Sequence, residues 1–339
     1  MKKSYALVTI LAVLAGLCLI VSPCWAQTNT YTLRIQCVYP EASHGAQTLK
    51  KFAEKVEAYS KGQVQVKLFW PGMLVSLQEG YDAVAKGTVE GLYSSLIYYG
   101  GTVPEGKTEW LPFNWFSPDD CFDIYYNAGY LDLMREANAQ HNVYYLFPLM
   151  TASMGCMTKF VVNTMDDFKG KKMRATGVDG AIVKAMGSAA VTLPATELYV
   201  TLQRGTVDGV VYPYYTLKTY KLHEVVNQVV LPGVHTPAIS GLYLNLAFWK
   251  SLPRDLQHAL EQAGKETALL AAQACPEWDK EGIDEAQGKG IRVTTLSKSD
   301  LKKLQERCMP LWDQVAKSTP INKKIIELLT NYQKKKSPM

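Results

Sequence analysis

One side chain in this sequence carries a charge that its surroundings must answer. Arg174 lies in the strand-like stretch "KKMRAT", between Met173 and Ala175. A guanidinium buried in a sheet needs an anionic partner, and its planar fork fits a carboxylate with two parallel hydrogen bonds. That partner is a ligand carboxylate or a structural aspartate; on an edge strand the head would face water instead. The other reactive groups form no constellation. The five histidines, His44, His141, His223, His235 and His258, are dispersed without metal-ligand spacing. No G-x-S-x-G elbow, H-E-x-x-H pair, Walker loop or G-x-G-x-x-G turn occurs. Asp119–Asp120 and Asp166–Asp167 sit in turn-like contexts and read as solvated. The chain is therefore expected to hold no catalytic residue, no metal and no cofactor.

The segments flanking these residues have different fates. Lys2 and Lys3, the apolar run from Ala6 to Val21 and "SPCWAQ" make residues 1–26 a secretory signal, cleaved after Ala26. The mature chain is expected in the periplasm. A lipoprotein signal at Cys18 or Cys24 fits less well, because Leu17 and Pro23 stand where a small residue is wanted. No later stretch reaches the roughly 18 apolar residues of a membrane span. Cleavage removes two of the 36 basic side chains and none of the 31 acidic ones. The small positive balance left makes no electrostatic case for nucleic acid. Lys334 to Lys336 read as a frayed, solvated tail. Of seven cysteines, Cys37, Cys121, Cys156, Cys275 and Cys308 remain. They are scattered and odd in number, so they are expected as buried free thiols, although export permits a disulfide.

The elements that must position Arg174 alternate between strand and helix. "YTLRIQCVY" reads as a strand. Leu49, Phe52, Val56 and Tyr59 then mark one face of a helix. Val64, Val66 and Leu68 alternate as a second strand, and "SLQE" at Ser76 to Glu79 opens a further helix as a capping box. In the second half a turn at Gly170 leads to the Arg174 strand, a helix capped by Asp179, the strand "AVTL" and a helix from Pro194 to Gly205. A long helical region follows from about Leu256 to Ala286, then a terminal strand and helix. Such alternation implies mainly parallel sheets covered by helices. Each half carries a near copy of one pentapeptide, "GTVEG" (Gly87 to Gly91) and "GTVDG" (Gly205 to Gly209). A Gly ends the helix, Thr and Val open the strand, and the second Gly enters a crowded sheet end. Glu90 and Asp208 are read as structural. Ligands bind beyond the carboxyl ends of strands in open α/β sheets. Ser94 and Ser95 after the first copy, and Tyr212 to Tyr214 after the second, are therefore cleft candidates.

"TMDDFKGKKMRATG" and "AMGSAAVTLPATELYVTLQRGTVDGVVYP" resemble the signature of the DctP-type substrate-binding proteins of tripartite (TRAP) transporters. Phe168, Lys169, Gly170, Lys172, Met173 and Arg174 match the family's strand motif. Pro194, Glu197, Tyr199, Gln203, Asp208 and Gly209 are among the residues matching the block after it. "FAEKVEAYSKGQVQVKLFWPGML" and "SLPRDLQHAL" fit earlier and later segments in order.

The resemblance implies an α/β, two-lobed, periplasmic-binding-protein-like (type II) fold. It implies mixed sheets flanked by helices, a ligand cleft between lobes and a long connecting helix. Lobe I is expected from residues 27–151 plus 238–280, and lobe II from 152–237 plus 281–339. The implied role is capture of an organic acid, closure of the lobes and delivery to TRAP membrane permease subunits. Arg174 would clamp the carboxylate. Tyr212, Ser94, Ser95 and Tyr39 stand at further contact positions. Met154 occupies a position where some members, notably sialic-acid binders, carry a second arginine. With Tyr98, Trp115 and Tyr214 as further candidate walls, the expected ligand has an apolar or aromatic body, of aryl-acetate or aryl-pyruvate type. An exported two-lobed enzyme and a sensor for a membrane receptor are the alternatives. Arg174→Ala is expected to lose most affinity while leaving unfolding of the empty protein little changed.

Overall fold

Short apolar runs, many of them buried along their whole length, build two sheets of the same design. β1 (Tyr31–Cys37) lies between β2 (Val64–Phe69) and β3 (Gly91–Ser94), parallel to both. β10 (Ile239–Asn245) pairs antiparallel with β3, and β4 (Val143–Met150) antiparallel with β10. In the second sheet β6 (Lys172–Arg174) lies between β7 (Ala189–Val191) and β8 (Gly209–Pro213), parallel to both. β5 (Met154–Thr158) pairs antiparallel with β8 and with β9 (Gln228–His235), and β11 (Arg292–Thr295) runs parallel beside β9. The order β2-β1-β3-β10-β4 in one sheet thus matches β7-β6-β8-β5-β9 in the other. The chain passes from one sheet to the other at residues 151–153 and returns at 236–238. The result is two lobes, each with a mixed sheet flanked by helices. The computed structural model describes residues 29–336, so the leader read at residues 1–26 lies outside the described residues.

Parallel neighbours require crossover helices. Helix His44–Tyr59 links β1 to β2, burying Leu49, Phe52 and Val56. Helix Val178–Ala185 links β6 to β7 and buries Ile182 and Val183. Helix Arg254–Gly288, 35 residues long, packs on the first helix and β4, then on β9 and β11. Among the described residues no helix is long and apolar enough to cross a membrane. The five cysteines are buried and free.

The duplicated pentapeptide does the same work twice. Gly87 and Gly205 take φ of +75° and +69°, which glycine adopts without steric cost, just past each helix end. The strands begin at the second glycine, not at Thr and Val as the pattern predicted. The acid before that glycine accepts a backbone N–H from the neighbouring parallel strand. Arg34 N–H reaches Glu90 Oε2 at 3.1 Å, and Lys172 N–H reaches Asp208 Oδ2 at 2.7 Å. The register agrees: Ile35 faces Gly91, and Met173 faces Gly209.

The C-terminal helix Pro320–Lys336 departs from the expected division. Besides packing on the preceding helix Lys298–Ala316, it reaches lobe I: Tyr332 Oη donates to Asp123 Oδ2 at 2.7 Å and Gln333 Nε2 to the Phe113 carbonyl at 2.7 Å. Its buried Ile321, Ile325 and Leu329 mark an amphipathic helix without marking which core it meets. Lys336 continues that helix and pairs with Asp120 at 2.7 Å, so the lysine run is no frayed tail up to that residue.

A Cβ at position 209 would meet the Met157 carbonyl oxygen at 2.8 Å, whereas one at position 91 would meet only side chains, the nearest being Ile35 Cγ1 at 3.0 Å. Side chains yield more readily than a paired strand. Gly209→Ala is therefore expected to cost about 1–3 kcal/mol and Gly91→Ala less. Urea unfolding of the two variants checks the order.

Candidate functional site

Four strands, β1 and β3 running parallel in lobe I and β6 and β8 running parallel in lobe II, deliver their carboxyl ends to one cavity. Tyr39, Tyr93, Ser95, Ile97, Tyr98 and Trp110 line it from lobe I. Met154, Arg174, Thr176, Asp179, Tyr212 and Tyr215 line it from lobe II. Six aromatic rings share the walls with hydroxyl groups and the two charged side chains Arg174 and Asp179, the mix of apolar surface and placed polar groups that small-molecule sites use.

Arg174 ends β6, an internal strand, and is 2% exposed. Its Nε and Nη2 donate to the Leu193 carbonyl at 3.1 and 2.9 Å, and its Cζ lies 5.2 Å from the Tyr212 ring centroid. Nη1 makes no hydrogen bond, and no carboxylate pairs with the guanidinium, among the described residues. Burial works against the charge, but Tyr98, Tyr212 and Asp179 outweigh it and raise the pKa above the ordinary value. One expectation is corrected here. Arg174 also fastens the loop after β7, so removing it orphans the Leu193 carbonyl and opens a void. Arg174→Ala must therefore destabilise the empty protein as well.

Around Arg174 stand polar atoms without partners. Trp110 Nε1, Tyr93 Oη and Thr176 Oγ1 are buried and make no hydrogen bond. Tyr39 Oη accepts from Ser240 Oγ at 3.0 Å, and burial holds its pKa well above the usual phenol range. Asp179 Oδ1 meets His235 Nε2 at 2.6 Å, and both residues are buried. Among the described residues no group of three or more His, Cys, Asp or Glu side chains could hold a metal.

Of the residues singled out from the sequence, Tyr39, Ser95, Tyr98, Met154, Arg174 and Tyr212 meet at this cavity. Ser94 does not. Side chains alternate along a strand, so Tyr93 and Ser95 face the cavity while Ser94 Oγ turns to Tyr99 Oη at 3.4 Å. Tyr214 lies beyond the wall, where its hydroxyl covers Gly155 and donates to the Val230 carbonyl at 2.7 Å. Trp115 packs on Tyr125 and Tyr130 and donates to the Pro237 carbonyl at 2.8 Å. Tyr93, Trp110, Thr176, Asp179 and Tyr215 were missed. Strand alternation applied to "LYSS" would have selected Tyr93. Asp179 was read as a helix cap; Gly177 holds that place, and Asp179 sits in the first turn. Trp110, at the end of the short 3-10 helix Pro104–Trp110, carried no local signal.

Two mixed sheets with their strand ends opposed across one cavity define the class of two-lobed solute-binding proteins. The model of bacterial extracellular solute-binding protein, family 7 (DctP), matches residues 36–319, and the chain belongs to that family. It is thus a DctP-type solute-binding protein of the TRAP class, and that family consists of binding proteins rather than enzymes. The chain is 26% identical over 296 residues to the monocarboxylate 2-oxoacid-binding periplasmic protein of Nostoc sp., spanning 86% of this chain and 80% of the relative. A TRAP periplasmic solute-binding protein from Desulfovibrio salexigens with bound orotic acid has a TM-score of 0.83 at 22% identity, covering 90% of this chain and 99% of that one. A TRAP solute-binding protein from Bordetella bronchiseptica with copurified calcium and picolinate has a TM-score of 0.84 at 20% identity, covering 91% and 93%. Both structures share the fold.

Beneath Trp110 lies a buried acid. Glu109 Oε1 accepts from Tyr125 and Tyr145 hydroxyls at 2.6 and 2.8 Å, while burial lifts its pKa from 4.5 to about 7. Below pH 4.5 the carboxyl is protonated folded or unfolded; between 4.5 and about 7 the folded protein alone retains the proton. Stability from this group therefore falls as pH rises through that window, by about 3 kcal/mol in all. Glu109→Gln is expected to remove this slope, measured as denaturant unfolding at pH 5 and pH 8.

Proposed function

We propose that this protein captures an organic monocarboxylate with an apolar or aromatic body in the periplasm and presents it, lobes closed, to a TRAP permease. One observation carries the reading: a buried guanidinium whose Nη1 makes no hydrogen bond and which no carboxylate pairs with among the described residues, at the wall of a cavity rich in aromatic rings. A buried charge without its counter-charge is costly, and a ligand carboxylate at Nη1 supplies it. Aromatic walls then bury the ligand body at roughly 25 cal/mol per Å². The unpartnered Trp110 Nε1 and Tyr93 Oη add donors for the remaining ligand oxygens. Met154 offers an apolar surface where a second arginine would demand a more polar ligand. The relatives support the same chemistry: the Nostoc protein is a monocarboxylate 2-oxoacid binder, and the Desulfovibrio structure holds orotic acid, a carboxylate on a ring.

Closure excludes water from the pair and shifts the population toward the form the permease reads. Calorimetric titration with aryl-acetates and aryl-pyruvates is expected to give saturable binding. Binding of sialic acid or short hydroxy acids alone would overturn the aromatic preference. Arg174→Lys keeps a positive charge but loses the planar fork, and is expected to weaken binding at least about 100-fold. Unchanged affinity in that variant would remove the clamp.

Trp110→Phe tests the second donor. It keeps a ring on the wall and deletes a buried N–H that has no protein partner. Affinity is expected to fall about tenfold, while the melting temperature of the empty protein holds or rises. Scanning calorimetry with and without ligand reads both effects.

A further inference from the structure

We propose that Asp179, held by His235, selects the ligand: a monocarboxylate that also carries a hydrogen-bond donor, a hydroxyl or an ammonium, and no second carboxylate. The inference rests on the carboxylate-binding reading above.

The ionisable balance of the cavity carries the argument. Among the described residues Arg174 is the one lysine or arginine on its wall, and Asp179 is the one aspartate or glutamate. Asp179 is 1% exposed, on the first turn of helix Val178–Ala185, which follows β6 and so stands beside Arg174. Its Oδ1 is fixed by His235 Nε2 at 2.6 Å from the end of β9. The Trp110 ring stands edge-on to the His235 ring, centroids 5.0 Å apart, and holds the imidazole in place. Among the described residues the second carboxylate oxygen has no hydrogen-bond donor, and it is not sealed off from the cavity the residue lines.

An ionised carboxylate only accepts hydrogen bonds. A buried acceptor left without a donor is unfavourable, so a ligand that brings one gains over its analogue that does not. The same oxygen works against anions. A single ligand carboxylate satisfies Arg174; a second would stand near Asp179 in a medium that screens poorly. The cavity therefore reads three things at once: one carboxylate at Arg174, an apolar body among the rings, and a donor at Asp179.

Titration of the mature protein with matched pairs tests this. The pairs are phenylacetate and mandelate, 3-phenylpropionate and phenylalanine, and propionate and lactate, with phenylsuccinate as the dicarboxylate. In the wild type at least one donor-bearing member is expected to bind about tenfold or more tighter than its partner, and phenylsuccinate more weakly than 3-phenylpropionate. Asp179→Asn should collapse the preferred pair to within about threefold and improve phenylsuccinate. His235→Gln, which loosens Asp179 without removing it, should shrink the ratio less. These are ratios within one variant, which a general loss of folding does not move. Equal binding within all three pairs, or an unchanged ratio in Asp179→Asn, overturns the selection by Asp179 while leaving the clamp at Arg174 intact. Failure of every acid to bind overturns both.

Discussion

The buried charge of Arg174 is the constraint around which the cleft is organised. Its counterpart in lobe I shows how. Gln36 faces Leu92 in the register in which Arg174 faces Val210. Gln36 donates from Nε2 to the Trp70 carbonyl at 2.9 Å and accepts from Leu74 N–H at 2.9 Å, closing the loop after β2 with a neutral amide. Arg174 closes the loop after β7 through Leu193 in the corresponding way. The guanidinium performs that scaffold task with two of its nitrogens and keeps a third, and a full charge, for the cavity. Two lobes of one design thus differ at the position where an asymmetric ligand needs them to differ.

Weak links bridge the rim of the cavity. His44, at the start of a lobe I helix, lies between cavity-lining Ser43 and Gly45. Its ring stacks on Trp278 with centroids 5.0 Å apart, and Nε2 reaches Glu281 Oε2 at 2.6 Å. Lys218 of lobe II joins the same carboxylate at 2.8 Å. Partly exposed pairs of this kind contribute about 1 kcal/mol or less each. Beside the two chain crossings at residues 151–153 and 236–238, the long helix Arg254–Gly288 carries Trp278 and Glu281 and packs on both sheets.

Much of this was legible in the sequence because it depends on local pattern. Alternating residues gave strands, spaced apolar residues gave helices, and the doubled pentapeptide marked equivalent strand ends. Those ends carried Ser95 and Tyr212 to the cavity. Ser94 failed by one residue, since a shift of one along a strand reverses the facing side. Tyr214 failed because the chain turns after Pro213, where alternation no longer applies.

What the sequence by itself determined is the signature of the chain: two similar α/β halves, a charged residue at a strand end, and membership of a family of binding proteins. What only the tertiary structure decided is which distant groups meet. Trp110 comes from a short 3-10 helix of lobe I, Asp179 and His235 lie 56 positions apart, and the C-terminal helix reaches lobe I. The physical reason is that local spacing dictates which face of an element is apolar, whereas the partner of that face is chosen by packing between elements. A cavity assembled from the ends of strands in two sheets leaves no continuous pattern in the chain. Its pairing of a buried guanidinium with a nearby aspartate held by His235 exists only once the sheets have exchanged their strands.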